Sequence, residues 1–154
     1  MIVLEFKVDE AELTRDLSES PNSANPAALE ETYFVMPVSF VVGATNMLAF
    51  PGANETWYPQ PILGFAVHMA GAVLQLKHGE SSTCHVADGG RLEFERSGWT
   101  MRVSSTLLPE NAEIVPATEM IGAVRKFRHH VRDLLLQREP AMKNHPWWDE
   151  WFPE

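Results

Sequence analysis

The sequence predicts an α+β fold, an antiparallel sheet of about five to six strands packed with two principal helices in a single domain over residues 1–154. Three observations carry this. Apolar residues alternate with period two at 2–8, 34–42 and 81–106, the mark of half-buried strands. Residues 61–77 are apolar on nearly every side of a helical wheel, and residues 118–138 carry an apolar stripe at the 3.6-residue period. The chain has 154 residues, 45% of them apolar and 21% charged, enough to bury about 70% of its unfolded surface in one core.

The first strand is expected in "MIVLEFKV", where Ile2, Leu4, Phe6 and Val8 share a face. Asp9 and Glu12 have capping-box spacing, which predicts a short acidic helix over 10–18. "SESPNSANPAALEE" follows as a loop of turn-forming residues. In "TYFVMPVSFVV", Phe34, Met36, Val38, Phe40 and Val42 line one face of a strand nearly as apolar on the other. Pro37 lacks a ladder donor and places this strand at a sheet edge or on a bulge. "TNMLAF" reads as its hairpin partner, and "PGANETWYPQP" as a loop pinned by Trp57 and Tyr58. The helix at 61–77 must be buried on most sides. "SSTCHVADGGRLEFERSGWTMRVSSTLL" reads as a three-stranded meander with turns at Asp88-Gly89-Gly90 and Ser97-Gly98. Trp99, Met101, Val103 and Ser105 are expected on its inner face, and Arg91, Glu93, Glu95, Thr100, Arg102, Ser104 and Thr106 on a polar outer one. In the last helix, Met120, Ile121, Val124, Phe127, Val131, Leu134 and Leu135 face the core until Pro140 ends it.

Residues 140–154 form an aromatic tail expected to pack on the same domain. Trp147, Trp148, Trp151 and Phe152 would each bury about 150–250 Å², too much to leave in water without inviting association. A helical "PWWDEWF" turns the tryptophans to the body and Asp149 and Glu150 outward.

The net charge of −9 argues against nucleic acid as a partner, because such binding rests on neutralising phosphates. Acid is concentrated at residues 1–31, with eight acids against two bases, and at 80–116, with six against three. One cysteine, Cys84, allows no internal disulfide, and the amino terminus lacks the pattern of a secretory signal, so a cytoplasmic location is expected. The longest apolar run, 61–76, is shorter than the about 20 residues a membrane helix requires.

Cys84 and His85 are strand neighbours on opposite faces and cannot act as nucleophile and base; Cys84 reads as a small buried residue. His68, amid Val67 and Met69, reads as a core histidine. His129 and Asp133 share a helical face but no third ligand completes a metal site. Arg125, Lys126, Arg128, Arg132 and Arg138 read as a solvated basic face. No phosphate-cradling or serine-nucleophile motif is present. No catalytic residue, cofactor or metal is therefore expected.

The layout "YFVMPVSFVVGATNMLAFPG", then "WYPQPILGFAVHMAGAVLQL", then "TCHVADGGRLEFERSGWTMRVSS" covers most of the chain and resembles the immunity proteins of bacterial polymorphic and contact-dependent growth-inhibition toxin systems. The resemblance implies a non-enzymatic protein that binds a cognate toxin tightly, often through an acidic surface against a basic one. The expected partner is a basic protein, a candidate toxin domain, with neither nucleic acid nor membrane involved and a homodimer left open. The residues expected to meet it are Asp9, Glu10, Glu12, Arg91, Glu93, Glu95 and Arg102. The alternative is a small enzyme or small-ligand binder with a pocket between the buried helix and the sheet, near His68, Cys84 and Trp57.

Overall fold

A computed structural model describes residues 1–19, 21, 25–53 and 55–153. Strand β1 (Ile2–Phe6) leads to helix α1 (Glu10–Leu17), which Asp9 caps by accepting the Glu12 amide at 3.2 Å, as the spacing predicts. Helix α2 (Pro26–Glu31) lies in the stretch expected to be a loop. Asn25 caps it through the Ala27 amide at 2.8 Å and Pro26 presets its first turn, start signals that outweigh the turn-rich composition. Residues 20 and 22–24 of the expected loop lie outside the described residues.

Strand β2 (Val35–Val42), the two-residue β3 (Thr45–Asn46) and β4 (Tyr58–Pro61) run into helix α3 (Ile62–Val73). Strands β5 (Ser81–His85), β6 (Arg91–Ser97), β7 (Thr100–Ser105) and β8 (Leu108–Pro116) then form a meander. Helix α4 (Ala117–Arg138) passes through a 3-10 turn at Pro140–Asn144 to the short helix α5 (Trp148–Trp151).

The fold is α+β and its strand pairs are antiparallel, but the strands divide into two four-stranded sheets instead of one. In the first sheet β2 pairs with β1 on one side and with β3 and β4 on the other, so β2 is central and the edge position expected from Pro37 is not found. The Lys7 amide donates to the Pro37 carbonyl at 2.9 Å, so the missing Pro37 donor points to the β1 side, just past the last β1 pair, Phe6 with Val38. On the β4 side Pro37 stands opposite Pro59, a position where neither residue is needed as a donor.

Residue Phe34, just before β2, has a left-handed backbone (φ 57°), a conformation that costs a non-glycine residue about 1–2 kcal/mol. The buried Asp16 carboxylate accepts its amide at 2.7 Å and holds it there, which points the Phe34 ring into the core.

Helix α3 sits between the two sheets, with α2 and α4 against it. Phe127 of α4 meets Phe65 of α3 and Phe6 of β1 edge-on, each at a ring separation of 5.5 Å, and so joins three elements at one point. The sheets touch where Thr45 of β3 donates to Glu113 of β8 at 2.9 Å. Two glycines of α3 have opposite roles. A Cβ on Gly64 would lie 1.9 Å from the Glu30 carbonyl oxygen of α2, whereas one on Gly71 would meet nothing within 4 Å.

Gly64→Ala is therefore expected to destabilise the protein by about 2–3 kcal/mol, because backbone must move. Gly71→Ala is expected to stabilise it by about 0.5–1 kcal/mol through helix propensity alone. Urea unfolding of both variants checks this, and two changes of the same sign would contradict the helix contacts described.

Candidate functional site

Alternation along β6 and β7 turns Leu92, Phe94, Met101 and Val103 into the core and leaves the other side of the second sheet open. Register arranges that open face in rows. Ser81, Glu95, Arg102 and Ile114 make one, Thr83, Glu93 and Ser104 the next, and His85 and Arg91 a third; Ser104, expected exposed, is buried where the β7–β8 register shifts. The sheet thus brings together Arg91, Glu93, Glu95 and Arg102, as expected.

Asp9, Glu10 and Glu12 are elsewhere. Asp9 is spent on the α1 cap, Glu12 pairs with Arg15, and Glu10 receives both guanidinium nitrogens of Arg138 at 2.6 and 2.7 Å. That hydrogen bonding holds the Glu10 carboxyl below its usual range and raises Arg138. Arg138 ends α4 while the meander meets its start, and a 22-residue helix is about 33 Å long, so these acids do not share the sheet surface.

Trp99 is the main correction. It is 88% exposed at the β6–β7 turn instead of facing inward, and Ile114, one row in on β8, is 69% exposed. Ser97 pairs with Thr100, so Gly98 and Trp99 are the two central residues of a tight hairpin, with Gly98 at φ 61°. A turn residue has no sheet face, and that spacing was the signal in the sequence. The turn is braced from several directions. The Trp99 carbonyl accepts the first amide of α4, Ala117, at 2.8 Å; the Gly98 amide donates to His78 Nδ1 at 2.7 Å and its carbonyl accepts Arg96 Nε at 3.2 Å. The exposed indole thus projects from an immobilised backbone.

The other candidates distribute as follows. Cys84 is buried and His85 exposed, on the opposite faces expected of strand neighbours; burial pushes the thiol up to about 12. His68 is exposed instead of buried, because the strip of α3 that carries it lies between β5 and the tail. It lines, with His85, Glu30, Glu31, Gln60 and Phe65, a cleft of about 250 Å³. Trp57 does not line this cleft; it is half-buried beneath Lys7, whose Nζ stands 4.2 Å from the ring centre. Along α4, Arg132 pairs with Asp133, and burial together with Arg125 and Arg132 lowers the Arg128 pKa. Among the described residues, no three of His, Cys, Asp and Glu group so as to hold a metal, and no helix is long and apolar enough to cross a membrane.

In the tail, Trp148, Trp151 and Phe152 are buried while Asp149 and Glu150 face outward. Trp151 donates its indole N–H to Glu30 of α2 at 3.0 Å and stacks on His145 at 4.7 Å. Trp147 stands just before α5 and is 48% exposed, so of the tail's three tryptophans, all expected inward, it alone turns out. Compared with protein-family models, with curated proteins and with solved structures, the chain matches none.

Because its thiol stays neutral, Cys84 should react with Ellman's reagent only as fast as the protein opens. Its contribution to stability should be constant below the ordinary thiol pKa of 9.0 and decline between there and about 12, where only the unfolded chain ionises. Fast, stoichiometric labelling of the native protein at neutral pH would show instead that the thiol is reachable.

Proposed function

We propose that this chain is a non-enzymatic protein-binding domain, an inhibitor of the immunity-protein kind that blocks a basic partner such as a toxin domain. The observation that carries the reading is the immobilised, outward Trp99 beside Ile114 and the charged rows of the sheet. An isolated exposed apolar residue needs no explanation, but a large ring on a rigid turn, at the end of a sheet face that carries Ile114, Arg102 and Glu95 in its nearest row and Glu93 in the next, has the make-up of an interface anchor and its polar rim. Rigidity lowers the ordering cost of binding. Net charge of −9 favours encounter with a basic surface.

A second reading rests on the cleft between α2, α3 and β5, where His68, His85, Glu30 and Glu31 converge over Phe65. That arrangement fits a small cationic ligand, and it keeps the small-molecule alternative in view.

The test is to titrate the purified protein against the product of the gene adjacent to its own, by biolayer interferometry at low and high salt. Association should slow as salt rises, because exposed charges are screened beyond about 8 Å at physiological ionic strength. Trp99→Ala should weaken binding by about 2 kcal/mol or more, and Glu93→Lys with Glu95→Lys should slow association. Binding unaffected by Trp99→Ala, or association indifferent to salt, would remove this face from consideration. Loss of binding in His68→Ala alone would favour the cleft.

A further inference from the structure

Strand β5 forms one edge of the second sheet, and its pairing leaves a row of main-chain groups without backbone partners among the described residues, the His85 carbonyl meeting only the Cys84 thiol at 3.7 Å. The Val86 amide donates to the Gly90 carbonyl and the Glu80 carbonyl accepts the Arg96 amide, so residues 80, 82, 84 and 86 turn their main chain towards β6. By strand alternation the N–H and C=O groups of Ser81, Thr83 and His85 point the other way. All three residues are exposed, and among the described residues no backbone group pairs with them.

Other edges in the molecule carry devices that discourage pairing. β1 carries the exposed carboxylate of Glu5, β4 contains Pro59 and Pro61, β3 is two residues long, and β8 has Pro109, Pro116, Glu110 and a register irregularity opposite Val103–Ser105. β5 reads Ser-Ser-Thr-Cys-His, with neither proline, lysine, carboxylate nor bulge. Beside it runs a groove of about 470 Å³, floored by Val67, Gly71 and Ala72 of α3, and the space above Gly71 is empty. An unguarded edge above an open helix face is a template for one more strand.

We propose that β5 pairs antiparallel with β5 of a second copy about a two-fold axis at Thr83, joining the two meanders into one continuous sheet with the two α3 grooves facing each other beneath it. The sequence of the edge is self-complementary in this register. Thr83 meets Thr83, and Ser81 meets His85, so each outward amide finds a carbonyl and the contact closes on itself. The charge rows also agree. His85 and Arg91 of one copy fall in line with Ser81 and Glu95 of the other, so no like charges stand opposite each other across the seam. The Trp99 turn joins β6 to β7 and is separated from the β5 edge by β6, so this dimer leaves that turn free and stands apart from the proposed inhibitory function.

Sedimentation velocity over a concentration series tests the proposal. The native protein should sediment at twice its chain mass of 17.3 kDa at high concentration. Thr83→Lys sets like charges against each other on the axis and should weaken the dimer about tenfold or more. Thr83→Pro removes a donor that β6 does not use and should do the same. If Thr83→Pro fails to fold, Thr83→Lys decides the matter, since its side chain stays on the exposed face. In the native protein, the Thr83 amide should exchange hydrogen more slowly at high concentration than at low. A protein monomeric at every concentration, a dimer unchanged by Thr83→Lys, or a Thr83 amide equally exposed in dilute and concentrated samples would overturn it.

Discussion

Covering α3 is the constraint that organises the molecule. Nine of its twelve residues are buried, spread around the whole helix, so a cover is needed on almost every side. Helix α2 supplies one side, and can approach only because Gly64 has no side chain to hold the Glu30 carbonyl away. Helix α4 supplies another through Phe127 and Phe65. The first sheet contributes Met36 and Phe40, with Phe34 just before it, and the second Cys84, Leu92 and Phe94. The tail completes the enclosure: Glu30 at the α2–α3 contact also receives Trp151, so the closing of one side positions the closing of the next.

What remains uncovered is informative for the same reason. Half-buried Val67 and exposed His68 and Gly71 form the strip of α3 that the described residues leave open, and it borders the unguarded β5 edge. The meander, anchored on α3 and α4 by its inner face, offers its outer face and the Trp99 turn to solvent. Because the Trp99 carbonyl caps α4, the long helix and the exposed indole are mechanically one body. Sequence dictates local pattern, pattern dictates which faces must be buried, and the surfaces left over are those available for recognition.

Much of this was legible from periodicity. The stripe from Met120 to Leu135 on α4, the five residues from Phe34 to Val42 and the polar rows of Arg91, Glu93, Glu95 and Arg102 lie as their spacing implies. The division into two sheets was not, because strand pairing is a long-range choice that alternation does not encode. Strand β8 escaped notice because its apolar residues, Leu108, Ala112, Ile114 and Val115, are interrupted by Pro109, Glu110 and Glu113. His68 was assigned to the core because a helix apolar on all sides gives no hint of where its one gap falls. Trp99 was placed inward by extending β7 one residue too far into a turn that Gly98 had already marked. The remote position of Glu10 needed knowledge of its partner Arg138, 128 residues away in sequence.

The central claim, that the tail is a structural part of the enclosure of α3, is tested most directly by amide hydrogen exchange in Trp151→Ala. Removing a large buried ring costs about 3–5 kcal/mol. If the tail closes the core, the amides of Phe65, Met69 and Val73 should exchange about a hundredfold faster or more, in step with those of α4. If exchange quickens only in residues 140–153 while α3 keeps its native protection, the tail is an independent appendage and the account is wrong.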